Sequence, residues 1–200
     1  MAVLRLEKLR IRNLGPVDLV VGHKECVCLS GASGTGKTSL LRAVADLDPH
    51  DGRVYLDETD SRQVEPATWR REVAMLPERS QWWRDTVGEH FVTHADAGLS
   101  QLDLDARIMH RPVSSLSAGE RHRLALLRML GNEPKVLLLD EPTGSLDEAS
   151  ASRVVALVAR YRESAGAAVL WVTHNLAQVA RMSDRHLSIS GGRLVSASRS

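Results

Sequence analysis

The most legible chemistry lies in Gly31, Ala32, Ser33, Gly34, Thr35, Gly36, Lys37 and Thr38, which stand between a strand-like apolar run, Cys26 to Leu29, and a helix-like run, Ser39 to Leu47. Glycines at 31, 34 and 36 can take backbone angles closed to other residues. Successive N–H groups then turn inward as a nest for phosphate oxygens at a helix N-terminus. Lys37 can reach the β- and γ-phosphates, Thr38 can offer a hydroxyl to Mg²⁺, and Ser39 carries the segment into the helix. A chance Gly-rich turn would not account for strand, loop, Lys-Thr and helix falling in order. That order implies a bound nucleoside triphosphate.

Two more clusters fit the same chemistry. Val136 to Leu139 is a short apolar run that ends in Asp140 and Glu141. This places both carboxylates at the C-terminal end of a buried strand, where open α/β sheets bind ligands. Asp140 suits the Mg²⁺ shell, and Glu141 can orient or deprotonate the water that attacks the terminal phosphate. The plainer reading of Glu141 is a solvated acid at a strand end. Leu116-Ser117-Ala118-Gly119-Glu120 opens a strong helix. Ser117 and the N–H groups near Gly119 therefore form a second anion site, or else a plain capping box.

The elements that must position these residues follow from hydrophobic period. Val3 to Ile11 and Val17 to Leu29 read as strands of an antiparallel lead-in, joined by Asn-Leu-Gly-Pro. Asp51-Gly52 reads as a turn into a strand ending near Asp57, and Glu72 to Leu76 as a short strand stopped by Pro77. From Asp85 to about Pro112 the pattern is polar and helical. Glu120 to Leu130 is helical, Val136 to Leu139 a strand, Glu148 to Arg162 a helix, Ala167 to Val172 a strand and Leu176 to Met182 a helix. His186 to Ile189 and Arg193 to Ser196 close as a hairpin on Gly191-Gly192. Alternating strands and helices mean an α/β fold with a mostly parallel sheet flanked by helices.

With 26 basic and 25 acidic residues in 200, no net field draws the chain onto nucleic acid or an anionic membrane. The apolar runs are far too short for a membrane span, and Met1 to Gly15 alternates Leu with charge, unlike a secretory segment. A cytoplasmic protein is expected. Cys26 and Cys28 share one strand face with no second pair to complete a zinc site, so both read as reduced core thiols.

Together the motifs resemble ATP-binding cassette (ABC) ATPases, in family order, from Leu6 to Val195. The resemblance implies the P-loop NTPase fold in one ABC ATPase domain, 1–200, with ATP and Mg²⁺ as cofactors. It also implies a homodimer paired head to tail, so that each ATP lies between one chain's Gly31 to Thr38 and the other's Ser117 to Gly119. Gly144-Ser145-Leu146-Asp147 is similar to the family's loop at the dimer seam. His174 matches its switch histidine at the γ-phosphate, although a lone His after a strand is ordinarily a polar cap. The implied partner is a separate integral-membrane permease, which places the chain peripherally on the inner face of the membrane, with no nucleic acid.

Departures from the family pattern are informative. Glu78 stands where the family carries a glutamine touching Mg²⁺ and the attacking water. A carboxylate there can ligate Mg²⁺ but adds negative charge beside the γ-phosphate, and Gln81 is the alternative for the role. Ala118 replaces the usual glycine. No aromatic residue precedes Tyr55 to stack adenine, so base selectivity should be loose. Residues 78–117 correspond to a shortened helical lobe. Trp82-Trp83 reads either as an anchor for a permease helix or as packing inside that lobe. Arg121, Arg123 and Arg128 read as a solvated basic face. The residues from Pro134 to Glu141, Ser145 to Glu148 and Ala168 to His174 look most like the small ATPase subunit of an iron or metal exporter. The alternatives are a soluble ABC-type ATPase acting on DNA or the ribosome, or a nucleotide-gated module in which Glu78 and Ala118 slow hydrolysis.

Overall fold

The computed structural model describes residues 2–91, 96–175, 177 and 182–197. Two sheets organise them. Strands β1 (Ala2–Ile11), β2 (Leu14–Gly22), β4 (Asp51–Leu56) and β5 (Thr59–Asp60) form an antiparallel sheet in the order β2-β1-β4-β5. The second sheet runs β10-β9-β3-β8-β7-β6, from β3 (Cys26–Ser30), β6 (Val73–Leu76), β7 (Val136–Asp140), β8 (Ala168–Val172), β9 (Arg185–Ser190) and β10 (Arg193–Ser196). Its pairings are parallel except at the β9–β10 hairpin. The expected antiparallel lead-in and parallel sheet are both present.

Side-chain alternation explains how the parallel sheet buries both faces. Val136, Leu138 and Leu170 join Val27 and Leu29 in one core beneath α1 (Lys37–Val44) and the antiparallel sheet. Leu137, Leu139, Val169 and Trp171 point the other way, with Cys26 and Cys28, towards α4 (Ala118–Leu130) and α5 (Glu148–Ala165). Period-two alternation on strands hydrophobic throughout is what a doubly covered parallel sheet requires. Both cysteines are buried free thiols on one face, as expected.

Several expectations need correction. Val17 to Leu29 is not one strand. The chain leaves β2 at Gly22, turns through a left-handed Lys24 (φ 57°) and enters β3 in the other sheet. β4 begins at Asp51, inside the expected turn. The stretch from Asp85 to Pro112 is mostly not α-helical. After α2 (Pro66–Glu72) and β6 it holds short 3₁₀ turns at Gly88–His90 and Ala106–His110 around one six-residue helix, α3 (Asp96–Gln101). Asp105 caps the second 3₁₀ turn by accepting from the Arg107 N–H, and buried Leu99, Leu102, Leu104 and Ile108 anchor this segment without helical spacing. The helix expected over Leu176 to Met182 falls largely outside the described residues.

The basic face on α4 is only partly solvated. Arg123 donates to Ser150 Oγ at 2.6 Å. The Arg128 guanidinium lies 4.6 Å and 4.7 Å from the Trp82 and Trp83 ring centroids and donates to the Gln81 carbonyl. Trp82 packs against the core, as one of the two readings expected, whereas Trp83 is 67% exposed. No helix among the described residues is long and apolar enough to cross a membrane.

Candidate functional site

The loop between β3 and α1 adopts the geometry that its glycines permit. Gly31 (φ 143°) is pressed against β9: a Cβ there would come within 2.8 Å of the Ile189 carbonyl. Gly36, at φ 102°, is the N-cap of α1 without any side-chain cap. The N–H groups of the first helical turn are therefore left for a ligand, at the positive end of the helix dipole. Lys37 is only 7% exposed and arches over its own loop, donating from Nζ to the carbonyls of Gly31 at 2.8 Å and Ala32 at 2.9 Å. Thr35 Oγ1 also donates to the Ala32 carbonyl, bracing the loop.

Register brings the carboxylates to the same place. β7 pairs with β8 and ends at Asp140, 3% exposed, whose Oδ2 accepts a hydrogen bond from Thr38 Oγ1 at 2.8 Å. Burial pushes the Asp140 carboxyl above its ordinary range; the Thr38 bond opposes this, and the charge of Glu78 adds to it. A buried carboxylate held in this way gains from a nearby cation. The donor set of hydroxyl and carboxylate oxygens suits hard, octahedral Mg²⁺. Among the described residues no cluster of three or more His, Cys, Asp or Glu side chains could hold a metal ion by itself.

Glu141 follows in a left-handed conformation (φ 48°), fixed by its N–H donating to the Val172 carbonyl at 3.0 Å. Its buried Oε1 lacks a hydrogen-bond partner and lies 3.3 Å from Nε2 of the more exposed His174. Burial raises the Glu141 pKa, with His174 acting against it. A carboxylate whose affinity for a proton is raised is a better base. A cavity of about 320 Å³ joins Ser33, Gly34, Gly36 to Ser39, Glu78, Asp140, Glu141 and His174. Glu78 reaches it from the exposed turn after β6. Gln81, exposed, is not part of that lining.

Ser117 and Gly119 are not brought to this cavity. They open α4 with a complete capping box: the Glu120 N–H donates to Ser117 Oγ at 3.1 Å, and the Ser117 N–H donates to Glu120 Oε2 at 2.7 Å. Ala118 is exposed, and a Cβ on Gly119 would lie 3.2 Å from Leu146 Cδ2. Asp147 caps α5 by accepting from the Ser150 N–H. Three residues escaped sequence reasoning. His122 is buried beside Pro142 with its Nε2 unpartnered, and burial lowers its pKa. His90 Nε2 accepts from the Trp83 and Arg84 N–H groups. Arg12, on the β1–β2 turn, lines the 320 Å³ cavity. None of the three lies in a recognisable motif; only the pairing register could have located Arg12.

The family model for ABC transporters matches residues 14–144. An Fe(3+) ions import ATP-binding protein, FbpC, of Streptomyces coelicolor is 37% identical over 196 residues, covering 90% of this chain. The chain spans only 56% of that relative's length. The lipoprotein-releasing system ATP-binding protein LolD of Syntrophotalea carbinolica is 32% identical, with 92% of this chain and 89% of the relative covered. Among solved structures, the dimeric ATP-binding cassette MJ0796, in a post-hydrolysis state bound to ADP and Pi, superposes with a TM-score of 0.83 at 22% identity. The superposition covers 96% of each chain and establishes the P-loop NTPase fold.

Proposed function

This chain belongs to the ABC transporter family, and from that membership we propose that it is an ATP-binding subunit that hydrolyses Mg-ATP to drive a separate membrane permease. One observation carries the reading. The Thr38 hydroxyl rests on the Asp140 carboxylate beneath the Lys37 loop, with Glu141 next along the chain, so cation, phosphate and attacking water have adjacent places. Residues 31–39 hold the triphosphate, with Lys37 leaving the Gly31 and Ala32 carbonyls for the β- and γ-phosphates. Thr38, Asp140 and Glu78 would hold Mg²⁺, which supplies charge neutralisation at the terminal phosphate. Glu141 takes the proton of the attacking water, and His174 keeps Glu141 and the γ-phosphate in register.

Ser117 and Gly119 lie away from this chain's own loop, so we assign them to the γ-phosphate of a second copy, paired head to tail. Two copies closing on two nucleotides, then reopening after hydrolysis, is the movement passed to the permease. In this reading the chain is one ABC ATPase domain, 1–200, with 78–117 as its trimmed helical subdomain, peripheral on the inner face of the membrane and independent of nucleic acid. The finer reading, export of iron or another metal, is supported by strand-core likeness alone. The relatives are named for iron import and lipoprotein release. Cargo and direction therefore belong to the permease.

The test is to lock Glu141→Gln protein with Mg-ATP in its native host, extract membranes in mild detergent and identify what co-purifies. A polytopic membrane protein at near equal amount is expected, and its own cargo site can then be tested with iron. Recovery only with ribosomes or DNA would overturn the transporter reading in favour of a soluble ATPase of the same family.

A further inference from the structure

We infer that Arg12 stacks its guanidinium on the nucleobase of the bound nucleotide, in place of an aromatic ring. The inference rests on the nucleotide reading above and deepens it. Ile11 pairs with Leu14 across β1 and β2, leaving Arg12 and Asn13 as a two-residue turn with Arg12 exposed at φ 49°. This turn is clamped on two sides. The Leu14 side chain lies 3.6 Å from a Cβ built on Gly36, at the start of α1. At the β9–β10 turn, the Gly15 N–H donates to the Gly192 carbonyl at 2.9 Å, and the Asn13 carbonyl lies 2.5 Å from a Cβ built on Gly192.

Sheet order then sets direction. Asp140 ends β7 and Glu78 follows β6, both on one side of β3, whereas the turn carrying Arg12 packs against the β9–β10 hairpin on the other side. If the terminal phosphate lies at the carboxylates, the ribose and base extend towards Arg12. The position of Asp48 agrees. Its carboxyl, held below the ordinary range chiefly by hydrogen bonds from Arg42, is also lowered by the charge of Arg12. Asp48 is already bound by Arg42 at 2.8 Å and 2.7 Å. No hydrogen bond or ion pair among the described residues engages the Arg12 side chain.

Among the described residues, no Phe, Tyr or Trp lines the cavity that Arg12 borders, and its one ring, His174, stands beside Glu141 at the carboxylate end. Tyr55 is covered by Arg5, whose guanidinium carbon lies 3.9 Å from its ring centroid. A guanidinium is planar, weakly hydrated and stacks on π faces, and every nucleobase offers one. Arg12 therefore supplies affinity without strong choice between purines.

The experiment measures binding of AMP-PNP, GMP-PNP and inorganic tripolyphosphate, with Mg²⁺, to wild-type protein and to Arg12→Ala, Arg12→Lys and Arg12→Tyr. Expected is a loss of roughly fivefold to thirtyfold for both nucleotides in Arg12→Ala, with tripolyphosphate affinity unchanged. Arg12→Tyr should restore nucleotide affinity, and Arg12→Lys, a point charge without a plane, should not. Equal loss for tripolyphosphate would mean that Arg12 acts on phosphate and would overturn stacking. So would nucleotide affinities unchanged by Arg12→Ala. Wild-type protein that binds none of the three probes would instead overturn the nucleotide reading, and the Arg12 assignment with it.

Discussion

Ser117 has two tasks in the proposed cycle, and they can be separated by substitution. In the free chain its Oγ accepts the Glu120 N–H while Glu120 returns the bond and is held in turn by Arg111 at 2.9 Å. Ser117→Ala removes one cap acceptor, which costs about 1 kcal/mol, or a fall of about 2–4 °C in Tm for a chain of this size. Ser117→Asp keeps an acceptor at the N-cap and suits the positive end of α4, so stability should stay within about 0.5 kcal/mol of wild type. The dimer should respond in the opposite order. A carboxylate about 4 Å from a partner's γ-phosphate costs about 4 kcal/mol per unit charge at an effective dielectric near 20, roughly a thousandfold in affinity. Thermal melts report the first task. ATP-dependent dimerisation of the Glu141→Gln protein, followed by light scattering with and without Ser117→Asp, reports the second. Wild-type dimerisation by the Asp variant would refute the idea that a phosphate meets this helix end.

Glu141→Gln should lower turnover by about 10²–10⁴-fold in a phosphate-release assay, the usual contribution of a general base. It should also stabilise the fold at neutral pH. Burial raises the folded pKa above the ordinary 4.5, so the folded state binds more protons than the unfolded state between those two values. Stability is therefore lost as pH rises through that window, and removing the charge recovers it. The Tm advantage of the Gln variant should shrink as pH falls towards 4.5, and an advantage that grows on acidification would contradict the sign. Glu78→Gln removes a like charge from beside Asp140 and the expected γ-phosphate. ATP affinity measured in EDTA should rise about fivefold, on the order of 1 kcal/mol, and thereby narrow the gap to Mg²⁺ conditions. An unchanged gap would place Glu78 outside the site.

What was legible in the sequence was whatever a local rule fixes. Gly31, Gly34 and Gly36 permit only a few loop shapes, and the apolar run into Asp140 reads as a buried strand whichever fold contains it. The break between β2 and β3 was legible but passed over: Gly22-His23-Lys24-Glu25 interrupts the apolar run, and the Glu25 N–H donates to the Gly22 carbonyl in the turn. What no local rule gives is that this turn, through a left-handed Lys24, carries the chain from one sheet to the other. The stretch from Asp85 to Pro112 misled because helical composition there serves short 3₁₀ turns, one of them capped by Asp105. Arg128 was read as a solvated charge, although two indoles 45 and 46 residues away in sequence enclose it, a long-range contact that no periodicity encodes. Arg12 was missed for the same reason.

The placement of Arg128 has a mechanical consequence. Arg128 and Ser117 sit near opposite ends of one continuous helix, eleven residues apart, and at about 1.5 Å per residue α4 forms a strut roughly 16 Å long. One end is gripped by Trp82 and Trp83; the other carries the cap. Val87, Leu99, Leu102, Leu104 and Ile108 share a single apolar core with α4 and with Leu137, Leu139 and Trp171 of the sheet. A pivot of the segment around α3 would therefore have to disturb the contacts that Leu99, Leu102, Leu104 and Ile108 make in that core. The exposed Trp83 is thereby coupled through Arg128 to α4, whose other end carries the Ser117 cap.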